Sequence, residues 1–324
     1  MIKPPIFVDP ISKTELSFIA ENNEFINSEK RAYPIIENIP RFVEPNNYAT
    51  SFGLQWNKFS KTQLDSYTGT TISEDRLKRL CGGDLSVFKG KKVLEVGCGA
   101  GRFTEIMLAA GASVSAVDIS SAVEANYQNC KNYPNYSVCQ ANVYNLPFNY
   151  EEFDIVVCIG VIQHTPDPEK TINTLCNYVK PSGTLIIDHY TKGYPETFFR
   201  KKIRNFLLKR EIEYRFNYCK KLTKRLYPLH KFSWKLKIIP ILSYLGRAFI
   251  YFSPVVDYHD IYPQLSDEQL YAWMFLDTHD TLTDHYKHTR SAEEIVSILE
   301  ANSMEAIFTE YAGNGVEARC TKKV

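Results

Sequence analysis

Apolar and polar positions follow two periods along the middle of this chain. Between residues 91 and 190, short apolar runs are separated by stretches with helical spacing. Such alternation predicts a parallel sheet covered by helices on both faces. The five predicted strands are Lys92–Val96, Ser113–Val117, Tyr136–Gln140, Phe153–Ile159 and Gly183–His189.

The end of the chain returns to the same pattern. Ser291 and Glu294 have the spacing of a capping box, which predicts a helix over about residues 291–302. Two strand-like runs follow, at Glu305–Tyr311 and Val316–Thr321. We therefore predict an α/β fold with a doubly wound, mostly parallel seven-stranded sheet.

The first 88 residues show two other patterns. Three short β-type runs bounded by turn residues predict a small β-rich module at the start of the chain. They are Ile6–Val8, Ser17–Ile19 and Glu24–Ile26. Residues 48–88 are predicted to be helical because aromatic side chains recur there at spacings of three and four. An aromatic stripe of this kind usually packs into a core. The stripe consists of Tyr48, Phe52, Trp56 and Phe59.

A chain of 324 residues is longer than a typical single domain, and four parts are predicted. Residues 1–45 form the β-rich module and residues 46–190 the α/β core. Residues 191–275 form a helical insertion after the fifth strand, and residues 276–324 the last part of the core sheet.

Composition narrows the class of protein. The eight cysteines include no C-x-x-C pair, which argues against a disulfide framework and favours a reducing compartment. The N-terminus lacks the apolar run of a secretory signal, so a cytoplasmic location is expected. The net charge of +1 hides an asymmetry, because residues 191–250 carry 16 basic and 3 acidic residues. This excess predicts an anionic partner, or else a solvated helical face.

A glycine-rich turn follows the first predicted strand of the sheet. Gly97, Gly99 and Gly101 lie at alternate positions before a helix, where backbone N–H groups can approach a ligand. A dinucleotide fingerprint requires its third glycine at the position of Arg102. The spacing therefore disfavours NAD.

Polar residues follow the next strands at the same predicted edge of the sheet. Asp118 ends the second strand, and its carboxylate can accept both hydroxyls of a ribose, or can cap the next helix. Asn142 and Val143 follow the third strand and combine a hydrogen-bonding with an apolar side chain. The fourth strand continues into Gly160–Pro168.

Taken together, these segments resemble class I S-adenosylmethionine methyltransferases, in the group that contains ubiquinone and menaquinone biosynthesis enzymes. The resemblance implies S-adenosyl-L-methionine as cofactor, with Asp118 on the ribose and Asn142 with Val143 on the adenine, although the family usually has Asp at position 142. It implies that the methionine part is held by Glu95, Gly97, Gly99 and Gly101. Cys98, Arg102, Ile119 and Ile159 complete the predicted site.

The end of the N-terminal module resembles a short zinc-ribbon-like domain that accompanies some methyltransferases. That family has cysteines where this chain has Asp9 and Ser12. Because two metal ligands are replaced, we expect the module to bind no zinc.

Two histidines are candidate general bases. His164 follows the fourth strand and His189 ends the fifth, both at the predicted ligand edge. For His164, a structural role in the turn that follows is the alternative. A further group of His and Asp side chains over residues 277–288 has no recognisable ligand spacing and predicts a polar loop or substrate lid rather than a metal site.

The methyl acceptor is inferred from the basic insertion. Aromatic side chains lie among its basic residues, beside an apolar segment at residues 238–256 that Pro240, Gly246 and Arg247 make a poor membrane span. The surface fits a small-molecule or lipid-linked acceptor that is methylated on oxygen, with peripheral membrane contact through residues 191–256. The alternatives are a tRNA or RNA methyltransferase and a non-catalytic cofactor-binding scaffold.

Overall fold

The computed structural model describes residues 7–44, 47–193, 196–236 and 240–324. Two compact units divide the chain: one comprises residues 1–60, 73–194 and 286–324, and the other residues 61–72 and 195–285. Ile6 of the first predicted run, and residues 238–239 of the apolar segment, lie outside the described residues.

The first unit begins with a small antiparallel sheet. Its strands, in sheet order, are β1 (Ser17–Ile19), β2 (Glu24–Ile26), β3 (Ala32–Ile36) and β4 (Ile39–Pro40). The predicted run around Val8 is not a strand, because Val8 makes only an isolated bridge to Glu15. Two of the three predicted runs are thus confirmed.

Asp9 organises this module. Its carboxylate accepts hydrogen bonds from the backbone N–H of Ser12, from the Tyr33 hydroxyl and from the Asn27 amide. Burial opposes the charge, but hydrogen bonds from Ser12, Tyr33 and Ile11 outweigh burial and lower the pKa of Asp9 to about 2. Asp9 is thus an anionic side chain whose hydrogen bonds hold the turn together.

The predicted helical stretch over 48–88 is interrupted. It contains α1 (Thr50–Lys58), α2 (Asp65–Thr68), α3 (Ile72–Cys81) and a 3-10 turn. One break has a local cause: Gly69 ends α2 with φ of 70°, a left-handed conformation that favours glycine.

A seven-stranded sheet forms the centre of the first unit. Its strands are β5 (Lys92–Val96), β6 (Ser113–Asp118), β7 (Tyr136–Gln140), β8 (Phe153–Cys158), β9 (Val179–Tyr190), β10 (Met304–Ala312) and β11 (Gly315–Lys322). Their order in the sheet is β10-β11-β9-β8-β5-β6-β7. The five strands from β9 to β7 are parallel, β11 pairs antiparallel with β9, and β10 pairs antiparallel with β11. The predicted fold class is confirmed.

Helices cover both faces of this sheet because successive strand residues alternate between two apolar clusters. In β5, for example, Val93 packs into one cluster and Leu94 into the other. The covering helices of this unit are α4 (Thr104–Ala109), α5 (Ala122–Cys130), α6 (Pro168–Tyr178) and α11 (Ala292–Ala301). The capping box predicted at the start of α11 is confirmed, with Ser291 and Glu294 bonded reciprocally.

The second unit is helical and contains most of the basic segment. Its remaining helices are α7 (Phe198–Leu207), α8 (Ile212–Leu236), α9 (Pro240–Phe252) and α10 (Asp267–Thr283). A core that includes Trp234, Val255 and Trp273 holds it together. Within the described ranges, none of the helices combines the length and apolar character needed to cross a membrane. All eight cysteines of the chain are free and buried.

Candidate functional site

The glycine turn forms a tight link between β5 and α4. Gly97, Gly99 and Gly101 have φ values of 79°, 49° and 101°, in the left-handed region. A Cβ atom at Gly97 would lie 2.1 Å from Cγ2 of Val161, so a larger residue is excluded by space as well as by conformation. The backbone N–H groups of Gly97 and Cys98 both donate to the carbonyl of Val117, which ties the turn to β6.

Asp118 holds the turn from the neighbouring strand. One carboxylate oxygen accepts from the Gly99 N–H at 3.0 Å, and the other accepts from the Ser120 N–H at 2.8 Å and its hydroxyl at 2.7 Å. Burial raises the pKa of this carboxyl group, and these hydrogen bonds oppose the increase. Asp118 therefore has a structural role that the sequence did not reveal, in addition to its predicted contact with ribose.

The neighbouring Ile119 is positioned through its backbone. Its carbonyl accepts from the Asn47 amide and from the Gln140 amide, both at 2.9 Å. This fixes the chain that leaves β6 directly after Asp118.

Glu95 lies in a buried polar network next to the glycine turn. Its carboxyl group accepts from the Thr104 hydroxyl, which in turn accepts from the Asn126 amide. The same amide donates to the Cys98 carbonyl at 3.3 Å. Burial raises the pKa of Glu95 to about 8. Near neutral pH, Glu95 therefore retains its proton in the ligand-free protein.

This raised pKa predicts that unfolding stability depends on pH. The pKa of Glu95 is about 8 in the folded protein, against a reference value of 4.5. The contribution of Glu95 to the free energy of unfolding is therefore complete below pH 4.5 and is lost as the pH rises toward 8. The slope approaches about 1.4 kcal/mol per pH unit. Glu95→Gln should flatten it in denaturant titrations, whereas Glu300→Gln, at an exposed position of α11, should not. An unchanged slope in Glu95→Gln would contradict the assignment.

The predicted adenine residues follow β7. Asn142 caps the 3-10 turn Val143–Asn145, and its side-chain oxygen accepts from the Tyr144 N–H at 3.1 Å. That oxygen keeps a second lone pair for another donor. Val143 and, after β8, Ile159 are buried apolar side chains at the same edge of the sheet. Arg102, in contrast, donates to the hydroxyl of Ser73 at 2.9 Å.

Helix α1 places aromatic side chains beside the glycine turn, which the sequence did not predict. A Cβ atom at Gly99 would be 3.5 Å from the Trp56 ring, and Phe52 packs against His164 with ring centroids 5.5 Å apart. The close approach occurs because Gly53 has no side chain: a Cβ there would lie 2.4 Å from Oγ of Ser121. The sequence signal for this arrangement was a glycine within the aromatic stripe.

His164 lies after β8 among aromatic rings. Its Nδ1 is 3.1 Å from the carbonyl of Tyr286, and Tyr190 packs against the imidazole edge at 5.3 Å. A carbonyl oxygen only accepts, so Nδ1 carries the hydrogen and Nε2 carries the lone pair in the neutral ring. That tautomer suits proton abstraction by Nε2.

His189 is buried and neutral. Burial lowers its pKa to about 4, and Nδ1 donates to the carbonyl of Tyr190 at 2.8 Å. Its Nε2, like the Gln163 Oε1 and the His288 Nε2, is a buried atom without a hydrogen-bond partner in the described part of the chain. The backbone N–H of His288 donates to the Gln163 carbonyl, which links two of these groups. Unpaired buried acceptors call for a donor from a ligand or from water.

Asp188 connects β9 with the end of β8. Its carboxylate accepts from the Gly160 N–H at 2.6 Å and pairs with the Arg76 guanidinium. Asp188 was not predicted as a site residue, because its partner Arg76 is distant in sequence and contacts it only in the folded chain.

Two of the His and Asp side chains of residues 277–288 have partners within the helical unit. In the described ranges, no group of His, Cys, Asp and Glu is arranged to hold a metal ion. Asp284 pairs with Arg204 at 2.6 Å, and His279 is buried against the Phe216 ring. The ion pair of Asp284 and the ring contact of His279 give both side chains structural roles in the helical unit.

Comparison with known proteins identifies the domain that carries this site. A family model described as a methyltransferase domain matches residues 94–187. The ubiquinone biosynthesis O-methyltransferase of Azoarcus sp. (strain BH72) is 29% identical over an alignment of 132 residues, and the match covers 37% of this chain and 52% of that protein. The Haemophilus ducreyi protein of the same name is 36% identical over 105 residues, 30% of this chain and 44% of that protein. The chain spans about half the length of these curated relatives.

A solved structure is similar over a larger part of the chain. The magnesium protoporphyrin IX methyltransferase of Synechocystis PCC 6803 is 14% identical with a TM-score of 0.45, covering 85% of this chain and 97% of that one. The family model confirms the resemblance to class I methyltransferases, and with it S-adenosylmethionine as the cofactor of the domain.

Proposed function

Because residues 94–187 form a class I methyltransferase domain, we propose that this protein methylates a hydroxyl group of a small-molecule or lipid-linked acceptor. The observation that carries the proposal is the environment of His164. Its Nδ1 hydrogen is committed to the Tyr286 carbonyl, so Nε2 is the atom that accepts the proton of an acceptor hydroxyl.

The residues at the carboxyl ends of the strands fit the cofactor. Asp118 is partly exposed, and its carboxylate has an acceptor position left for one ribose hydroxyl while it retains its bond to Gly99. The backbone of the turn at Gly97–Gly101 is assigned to the methionine part, and the apolar Val143 to the adenine. S-adenosylmethionine supplies a methyl group already activated by a positive sulfur, so the protein has to position the acceptor and remove its proton.

For His189 we propose a role other than the predicted general base. A group with a pKa of about 4 and no exposure is a poor base for a hydroxyl at neutral pH. Its unpaired Nε2 instead suits a hydrogen bond from a neutral donor. We therefore assign the base to His164, and an acceptor-binding or water-binding role to His189.

The surroundings favour a hydroxylated aromatic acceptor. Phe52 and Tyr190 provide ring surfaces beside His164, while Gln163, His189 and His288 provide unpaired acceptor atoms. A ring carrying neighbouring hydroxyl groups satisfies both kinds of surface. The relatives named ubiquinone biosynthesis O-methyltransferases are consistent with such an acceptor.

The proposal is tested by direct methylation. The full chain is incubated with S-adenosylmethionine carrying a labelled methyl group and with dihydroxybenzoates, with and without a prenyl chain. We expect a product heavier by one CH₂ whose methyl group is on oxygen by fragmentation. Methylation of tRNA and of none of the phenols would overturn the acceptor class. Cofactor binding without any product would favour a scaffold.

A further inference from the structure

Helix α9 carries an apolar surface directed to solvent. Tyr244, Leu245, Tyr251 and Phe252 are 79%, 62%, 63% and 56% exposed. At 100° per residue these four positions fall within one arc of the helix, together with Ala248. The outward face of α9, defined by these side chains, is therefore a continuous apolar strip.

The opposite side of α9 fixes this orientation. A Cβ atom at Gly246 would lie 2.9 Å from the carbonyl oxygen of Ser233, so α9 lies directly against α8. The Phe249 ring packs at 5.2 Å from His230, and Ile250 packs against the core of the helical unit. The exposed aromatic and leucine side chains are held outward because these contacts already occupy the inner side.

The neighbouring helix α8 adds apolar and basic side chains. Leu229 and Phe232 are 49% and 60% exposed, and Lys221, Arg225 and Lys235 are exposed on the same helical stripe. These five residues follow one another at spacings of three and four along α8. Basic side chains thus flank an apolar centre, as in helices that lie in a membrane interface.

We propose that the outward face of α9, with the exposed stripe of α8, docks on the anionic surface of a lipid membrane. Charge complementarity selects this occupant. Residues 191–250 carry 16 basic and 3 acidic side chains, a net charge of +13, so the same surface of a second copy would be repelled and anionic headgroups attracted. Burial of the apolar strip in a lipid interface is favourable, whereas a phosphate backbone offers no apolar surface against which the strip could be buried.

The proposed docking surface and the candidate active site consist of different residues. None of the cofactor or base residues assigned above lies on α8 or α9. Membrane docking therefore stands without the proposed acceptor, and the two can fail independently: cofactor binding and methylation of a water-soluble phenol report on the site, and vesicle binding reports on the helices.

Vesicle co-sedimentation of the full chain tests the proposal. Vesicles of phosphatidylcholine with phosphatidylserine are compared with vesicles of phosphatidylcholine alone. We expect binding to the anionic vesicles, and a loss of about tenfold or more in the double variant Leu245→Ser with Phe252→Ser. Ile11→Ser, which removes an apolar side chain 66% exposed in the N-terminal module, should bind as wild type. Ile250 is unsuitable for the test because it packs against the core.

Salt separates the two components of the interaction. Binding to anionic vesicles should weaken with salt but persist in part, because the apolar strip is insensitive to screening. Equal binding by the double variant and wild type would overturn the proposal. So would a dimer in gel filtration that Leu245→Ser dissociates, or tight tRNA binding that falls steeply with salt without vesicle binding. An unchanged helical circular-dichroism signal and unfolding midpoint in the double variant show that the helical unit is folded.

Discussion

Replacing His164 with alanine is expected to lower kcat for O-methylation by about 10²- to 10⁴-fold, the usual contribution of a general base. The reason is that Nε2 of this imidazole, held as an acceptor by the bond from Nδ1 to the Tyr286 carbonyl, is lost. The affinity for S-adenosylmethionine should remain close to wild type. Initial rates with saturating cofactor, together with calorimetry of cofactor binding, measure both quantities.

Two controls distinguish proton transfer from packing. His164→Gln keeps a polar side chain of similar size between Phe52 and Tyr190 but cannot take a proton, so its kcat should fall as far as that of the alanine variant. The decline of wild-type kcat toward acidic pH should also disappear in both variants. Recovery of activity in His164→Gln would assign the imidazole a purely structural role.

Replacing Asp118 with alanine is expected to weaken S-adenosylmethionine binding by about tenfold or more, because one or two charge-assisted hydrogen bonds are lost at about 1.5–3 kcal/mol each. The same substitution removes the bond that restrains Gly99. Asp118→Asn should keep part of that restraint and so lose less stability while still binding the cofactor poorly. Calorimetry gives the affinity, and denaturant unfolding gives the stability.

The chain contains a matched control for Asp118. Asp84 makes the same local turn, accepting from the N–H of Ser86 at 2.8 Å, but lies before β5, away from the carboxyl ends of the strands. Asp84→Ala should therefore leave cofactor affinity unchanged. If both alanine variants lost affinity equally, the effect of Asp118→Ala would be attributable to folding and the ribose contact would have to be placed elsewhere.

Structural features that depend on residues close together in the sequence could be predicted from the sequence. The glycine spacing at Gly97–Gly101 and the capping box at Ser291 depend on backbone conformations that one or two residues dictate. The position of Asp118 followed similarly, because in a parallel sheet the end of one strand lies beside the end of the next. Strand bounds were predicted within a few residues for the same reason.

Features that depend on distant partners were decided by the tertiary structure alone. Helical spacing showed that Phe52 and Trp56 share a face, but contact with His164 and the Gly99 turn required the fold. The sequence marked His189 as a base because it ends a strand, yet burial lowers its pKa to about 4 and so makes it a weak base. Along α9 the sequence showed that most residues are apolar. Only packing against Ser233 and His230 decided which of them face solvent, because burial is set by what lies opposite a residue in space.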